Sequence, residues 1–239
     1  MILAEDAHAT TTEGAVWAAL RSVIDPELDE SLVDLEFIEA VRVEGERVEV
    51  ELRLPTFWCA PNFAYLMADD ARRAVLGVPG VRDVRVVLKD HMYSEEISRG
   101  GSFVDVFGDQ AEDGNLDDLR RLFQVKAFGM RQEQLVRYLL DAGHTAAEIV
   151  ALRLSDLHRL PRDGGPLVRT YLERRQRIGL DTTRLITTVE GAPIAADELE
   201  SHLQRMRRQR VSMTFNALTC RGLLETRYGL DPRKEVQTG

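Results

Sequence analysis

The chain has 239 residues, 44% hydrophobic and 30% charged, with a net charge of −9. That composition suits a globular protein with its own core, in one large or two modest domains. No apolar run approaches the roughly 20 residues that a bilayer span needs. The opening MILAEDAHATTTEG lacks a basic start followed by an apolar run, so no signal peptide is read there. The two cysteines, Cys59 and Cys220, stand far apart in sequence. They argue against a disulfide framework and for a reducing cytoplasm. Residues 1–110 hold 10 basic and 22 acidic side chains, a charge of −12, and the remainder carries +3. Such a split suggests two domains with different partners. The acidic half is a poor partner for nucleic acid, whose affinity rests on phosphate attraction.

The first element is a helix in EGAVWAALRSVIDPEL, with Val16, Leu20, Val23 and Ile24 on one face. Pro26 is expected to end it at Asp25. FIEAVRVEGERVEVELRL reads as a hairpin turning at Glu44-Gly45-Glu46. Val41 and Val43 alternate before the turn. Val48, Val50, Leu52 and Leu54 alternate after it, with Glu49, Glu51 and Arg53 toward water. A second helix is expected over Pro61 to Leu76, burying Phe63, Leu66, Met67 and Ala74. The sequence GVPG breaks it, and VRDVRVVLKD follows as a β-branched strand.

This order makes residues 1–107 an α+β domain, α-β-β-α-β, with a small mixed sheet and helices. The polar GDQAEDGNLDD reads as a linker at about 108–118. Residues 119–239 read as mainly α-helical. Two amphipathic helices join at Gly143, with Thr145 capping the second. GGPLVRTYLERRQRIG, AADELESHLQRMRRQR and SMTFNALTCRGLLETRYG supply three more. Cys220 falls in an apolar helical pattern and reads as core. The clusters ERRQR and QRMRRQR read as solvated faces or phosphate contacts.

In LPTFWCAPNFAYL, Cys59 falls between a strand and a helix that starts at Pro61. Amide N–H groups and the helix dipole favour a thiolate there, while the acidic surroundings oppose one. From the residues alone, Cys59 is either a reactive sulfur or an inert buried one. The stretch VIDPELDESLVDLEFIEAVRVEGERVEVELRLPTFWCAPNF…GVRDVRVVL resembles the small iron–sulfur cluster assembly domain shared by SufT, PaaD and the cytosolic cluster-targeting factors, over roughly residues 13–90. The resemblance implies that Cys59 handles iron or an iron–sulfur cluster. This chain has Cys-Ala-Pro where the family has Cys-Pro. It lacks the extra C-terminal cysteines of PaaD-like members, so it does not by itself supply a four-cysteine cluster site. The FWCAPNFAYLMADD…DHMYSEEI version resembles a subgroup found beside bacterial di-iron monooxygenases.

A second constellation, DHMYSEEI, offers Asp90, His91, Glu95 and Glu96. If helical, it sets His91 and Glu95 four apart on one face, a set suited to Fe(II), Mn(II) or Zn(II). Parallel strands would bring Cys59 and His91 into one pocket, within a chain or across a homodimer. A solvated acidic turn is the other reading. Asp25, Glu27 and Asp34 read as turn capping or as acid–base groups.

The helical half resembles the catalytic domain of tyrosine recombinases and phage integrases over about residues 120–232. Thr145, Met213 and Asn216 stand at the positions of its catalytic residues, and no nucleophilic tyrosine follows Tyr228. Phosphodiester transfer needs those groups, so no such enzyme is expected. The sequence thus leads to a non-enzymatic maturation factor. It would bind or pass on iron or a cluster through Cys59, with Cys59, His91, Glu95 and Glu96 as candidate metal ligands. The partner would be a client metalloprotein such as a monooxygenase hydroxylase component. A DNA-binding regulator and a metal-free structural adaptor are the alternatives.

Overall fold

A computed structural model describes residues 2–108, 116–160 and 164–229, with side chains from Thr12 onward. The chain forms two compact units, Met1–Leu116 with Asn216–Gly239, and Asp117–Phe215. The architecture is α+β at the N-terminus and mainly helical beyond.

In the first unit, helix α1 (Ile2–Arg21) buries Val16 and Leu20 completely. It stops four residues before the expected end at Asp25. Ile24 and Asp25 instead form a short strand, β1, paired with β2 (Glu30–Ser31). Strands β3 (Ile38–Glu44) and β4 (Arg47–Arg53) form the hairpin, with Gly45 at φ 61° in the turn. Only glycine adopts that conformation freely. Helix α2 (Pro61–Leu76) then crosses to β5 (Asp83–Lys89), which pairs parallel to β4. The sheet order is β3-β4-β5.

Val48, Val50, Leu52, Val84, Val86 and Leu88 form the buried face of the sheet. Helix α2 adds Met67, Ala71 and Val75 to that core and also buries Leu66, whereas Phe63 and Ala74 are only partly buried. The other face carries charge. Glu51 was expected in water but is 7% exposed, because Arg42 at 2.6 Å and Lys89 at 2.5 Å close over its carboxylate. Those two cations hold its pKa below the usual carboxylate value, Lys89 contributing most. After β5 come two short helices, α3 (Ser94–Arg99) and α4 (Phe103–Phe107). Ser102 and Asp105 cap α4 reciprocally. Phe103 and Phe107 then stack edge-on against Tyr65, at 5.3 and 6.3 Å. The expected linker at 108–118 lies mostly outside the described residues.

The second unit opens with α5 (Asp117–Asp141). Gly143 turns the chain at φ 91°, and Thr145 caps α6 (Ala146–Ala151). A 3-10 turn (Leu154–Arg159) and α7 (Gly165–Arg177) follow. The last two expected helices are one, α8 (Leu199–Tyr228), since neither Gly nor Pro interrupts the chain between Leu199 and Arg221. Its residues through Phe215 belong to this unit. Phe128, Leu135, Leu139, Ile149, Tyr171 and Leu203 make the core.

A polar network runs through that core. Gln132 donates to Thr187 O at 2.9 Å and to Tyr171 Oη at 3.1 Å, and His202 Nε2 lies 2.7 Å from Gln132 Oε1. Arg175, in the ERRQR cluster, is 3% exposed and donates to the carbonyls of Thr182 and Leu185. It is a structural cation, neither a solvated nor a phosphate-facing one. No helix among the described residues is long and apolar enough to cross a membrane.

Candidate functional site

The parallel pairing of β4 and β5 sets their C-terminal ends side by side. The loop after β4 carries Phe57, Trp58 and Cys59, and the loop after β5 carries His91. The two loops are stitched together. Met92 N–H donates to Phe57 O at 2.9 Å, and His91 Nε2 lies 2.7 Å from Cys59 O. The Tyr93 N–H reaches His91 Nδ1 at 3.2 Å. These partners settle the tautomer: Nδ1 accepts, so Nε2 carries the proton and donates to the Cys59 carbonyl. Burial first, then the nearby Arg227, push the His91 pKa down, and its bond to Cys59 O partly opposes them.

His91 is therefore a brace for the Cys59 loop. The expected His91–Glu95 helical face does not form, because α3 begins only at Ser94. Glu95 is exposed on the wall of a shallow cavity of about 750 Å³ shared with Arg72, Arg85 and Arg99. Among the described residues, no group of three or more His, Cys, Asp or Glu is placed to hold a metal ion. Cys59, His91, Glu95 and Glu96 thus do not converge as one ligand set. If His91 is a brace, His91→Ala leaves the part-buried Cys59 carbonyl without this partner, a cost of about 1–3 kcal/mol. The expected result in urea unfolding is a loss of that size. Unchanged stability with weakened metal binding would instead make His91 a ligand.

Of the opposing influences on Cys59, burial and acidic charge prevail over the helix N-terminus. Cys59 is half-buried, and its pKa is pushed up to about 12. Burial is the largest cause, followed by the negative charges of Asp25, Cys220 and Glu27. The helix N-terminus helps little, for reasons of sequence. Pro61 has no N–H to offer, and the Phe63 N–H is engaged by Ala60 O and Asn62 Oδ1. The Ala60 N–H favours the charged sulfur but is outweighed by burial and the nearby negative charges.

The Asp25-Pro26-Glu27 turn forms the neighbouring wall. Asp25 Oδ1 accepts from the Glu27 and Leu28 N–H groups at 2.8 and 2.9 Å, the capping role expected of such a turn. Asp25 is 6% exposed, and burial raises its pKa to about 7 despite those two bonds. The third wall was not foreseen. Residues 216–228 of α8 belong to this unit. Asn216 donates to Glu27 Oε1 at 3.1 Å, and Arg221 pairs with Glu30. Arg227 donates to Leu54 O at 3.2 Å and to Asp90 O at 2.6 Å. Cys220 sits between these anchors, half-buried on the same core cluster as Cys59. In sequence it reads as ordinary core, and no local pattern links it to Cys59.

Residues 13–88 match the iron–sulfur cluster assembly protein family. An iron–sulfur cluster carrier protein of Deinococcus radiodurans is 40% identical over 72 residues, 30% of this chain and 20% of that protein. One of Synechocystis sp. is 40% identical over 75 residues, 31% of this chain and 21% of that protein. An uncharacterized protein of Methanocaldococcus jannaschii is 33% identical over 88 residues, 36% of this chain and 90% of its own length. The chain thus spans about a fifth of the two carrier proteins.

Proposed function

Through residues 13–88 the chain belongs to the iron–sulfur cluster assembly protein family, and from that premise we propose that it carries iron or an iron–sulfur unit on Cys59 to a client metalloprotein. The observation that carries this reading is the placement of Cys59. It lies within the matched segment, on a loop fixed by His91 and Met92 to the end of the neighbouring strand. Iron or a cluster is then cargo, and the protein is a carrier with no reaction of its own to catalyse. Incoming metal displaces the thiol proton, so loading is steeply pH-dependent.

Beside the thiol, Trp58 is 73% exposed and Phe57 50% exposed. Two large side chains left in water suit a protein surface that closes over the cargo. A di-iron monooxygenase hydroxylase component is the client that the resemblance favours. The helical unit, without recombinase chemistry, would serve to dock it. In this unit Thr145 caps α6 and Met213 is buried. The test is transfer: protein loaded anaerobically with ferrous iron and sulfide is mixed with a metal-free acceptor and a chelator. Chelator-resistant delivery to the acceptor is expected. Delivery no faster than from free iron and sulfide would overturn the reading.

A further inference from the structure

We propose that the free edge of β5 is a docking site for an extended acidic segment of a partner protein, which adds to the sheet as a fourth strand. The inference goes beyond the carrier reading and makes no use of Cys59.

The sheet order β3-β4-β5 leaves β5 with a neighbouring strand on one side only. Successive N–H groups along a strand point to alternate sides. The Asp83 N–H donates to Glu46 O at 3.2 Å, on the β4 side. The Leu88 N–H, five positions on, donates to Ser98 Oγ of α3 at 2.9 Å, on the other side. These two bonds set the phase: Val84 and Val86 turn their N–H and C=O groups away from β4. At Leu88 the edge is closed by α3. The rest lines the cavity of about 750 Å³ whose walls also carry Arg72, Glu95 and Arg99. Open backbone donors and acceptors along a cavity are a template for an extended chain. A compact anion would engage the arginines and leave the carbonyls of Val84 and Val86 unused.

Charge selects the kind of chain. Asp83 and Arg85 are already paired on the polar face of the sheet, with Arg47 at 3.4 Å and Glu49 at 3.5 Å. Arg72 is 3.8 Å from Asp69, which lies closer to Arg73, at 2.6 Å. Among the described residues no carboxylate pairs with Arg99. Arg72 and Arg99 thus outnumber Glu95 here, although residues 1–110 carry a net −12. Arg72 is also seated: a Cβ at Gly100 would lie 3.1 Å from its Nη2, so the guanidinium rests against the backbone there. A guanidinium held in place loses little freedom on meeting a carboxylate. A second copy fits this edge less well. Antiparallel self-pairing centred on Arg85 sets that cation opposite its own copy. Pairing centred on Val84 or Val86 calls on the Arg82 or the Leu88 N–H, which Glu46 O and Ser98 Oγ already hold.

The probe is a fluorescein-labelled peptide of alternating glutamate and valine, titrated with the full-length protein at low salt and read by anisotropy. Saturable binding is expected. It should weaken at least ~10-fold for Arg99→Glu, and by as much for a lysine–valine peptide, since a charge-assisted hydrogen bond is lost or reversed. Methylating the backbone amides of the peptide keeps its charge but removes its donors, and should also cost at least ~10-fold. Amide exchange gives a readout that needs no variant. Bound peptide should slow exchange at Val84 and Val86 at least ~10-fold and leave Arg85 and Val87, which face β4, unchanged. Equal binding of the methylated or the lysine peptide, no binding at all, or no protection at Val84 and Val86 would overturn the proposal. Protection of those amides that rises with protein concentration in the absence of peptide would also overturn it, with a second copy as the occupant. None of these outcomes bears on iron transfer, so the carrier reading is tested apart from them.

Discussion

With Cys220 replaced by serine, which removes one of the lesser causes raising the Cys59 pKa, Cys59 is expected to react with a small disulfide reagent up to about 50-fold more slowly in the folded protein than in urea, near pH 8. The ordinary thiol has a pKa near 9, and Cys59 is raised to about 12. Near pH 8 the thiolate fraction therefore falls by about 10³. The more basic sulfur is the better nucleophile, and a Brønsted slope of about 0.4–0.5 returns a factor of about 20. The folded rate should keep climbing about tenfold per pH unit where the unfolded thiol has levelled off. A folded rate that plateaus near pH 9 would show the helix N-terminus outweighing burial. A protonated sulfur is also protected: it ignores stray disulfides and electrophiles until a cation arrives to take the place of the proton.

Asp25→Asn is expected to stabilise the protein at neutral and alkaline pH and to leave it nearly unchanged near pH 4. The folded pKa of Asp25 is about 7, above its ordinary value of 3.8. Below the lower value both states hold the proton, and the stabilising contribution is fully present. Between the two, the unfolded chain ionises while the folded chain keeps its proton, so stability falls by about 1.4 kcal/mol per pH unit. Above about 7 the loss is complete, at ~4 kcal/mol in all. Asparagine retains the oxygen that accepts from Glu27 and Leu28 but carries no charge to desolvate. Urea unfolding at several pH values checks this. Wild-type and variant curves that run parallel from pH 4 to 7 would show that Asp25 ionises freely in the fold.

Period-2 and period-3.6 patterning marked the hairpin, α2 and β5, because each has one face buried in a single continuous core. The same patterning missed the buried state of Glu51. Its burial depends on Lys89, which comes from a strand 38 residues later. It also divided α8 in two, since polar residues such as Ser212 and Thr214 lower propensity without breaking a helix. At the site, the Cys59 loop and the approach of His91 were legible from a parallel β4–β5 pair. The role of His91 was not, because a backbone carbonyl partner leaves no mark in sequence. Cys220 was invisible for a different reason. Its place on the core cluster that also packs Cys59 rests on Asn216, Arg221 and Arg227 docking on residues more than 130 positions earlier. No local spacing carries that information.

The central claim, that Cys59 carries iron, is tested most directly by iron and sulfide analysis with Mössbauer spectroscopy. Wild type and Cys59→Ser are isolated side by side without oxygen after growth on ⁵⁷Fe. Serine preserves the size of the side chain and the His91 bond to the residue 59 carbonyl, so both proteins should melt alike. The account predicts iron with sulfur-ligand parameters in the wild type and loss of most of it in Cys59→Ser. Equal iron in the two proteins, or none in either before and after reconstitution, would contradict it.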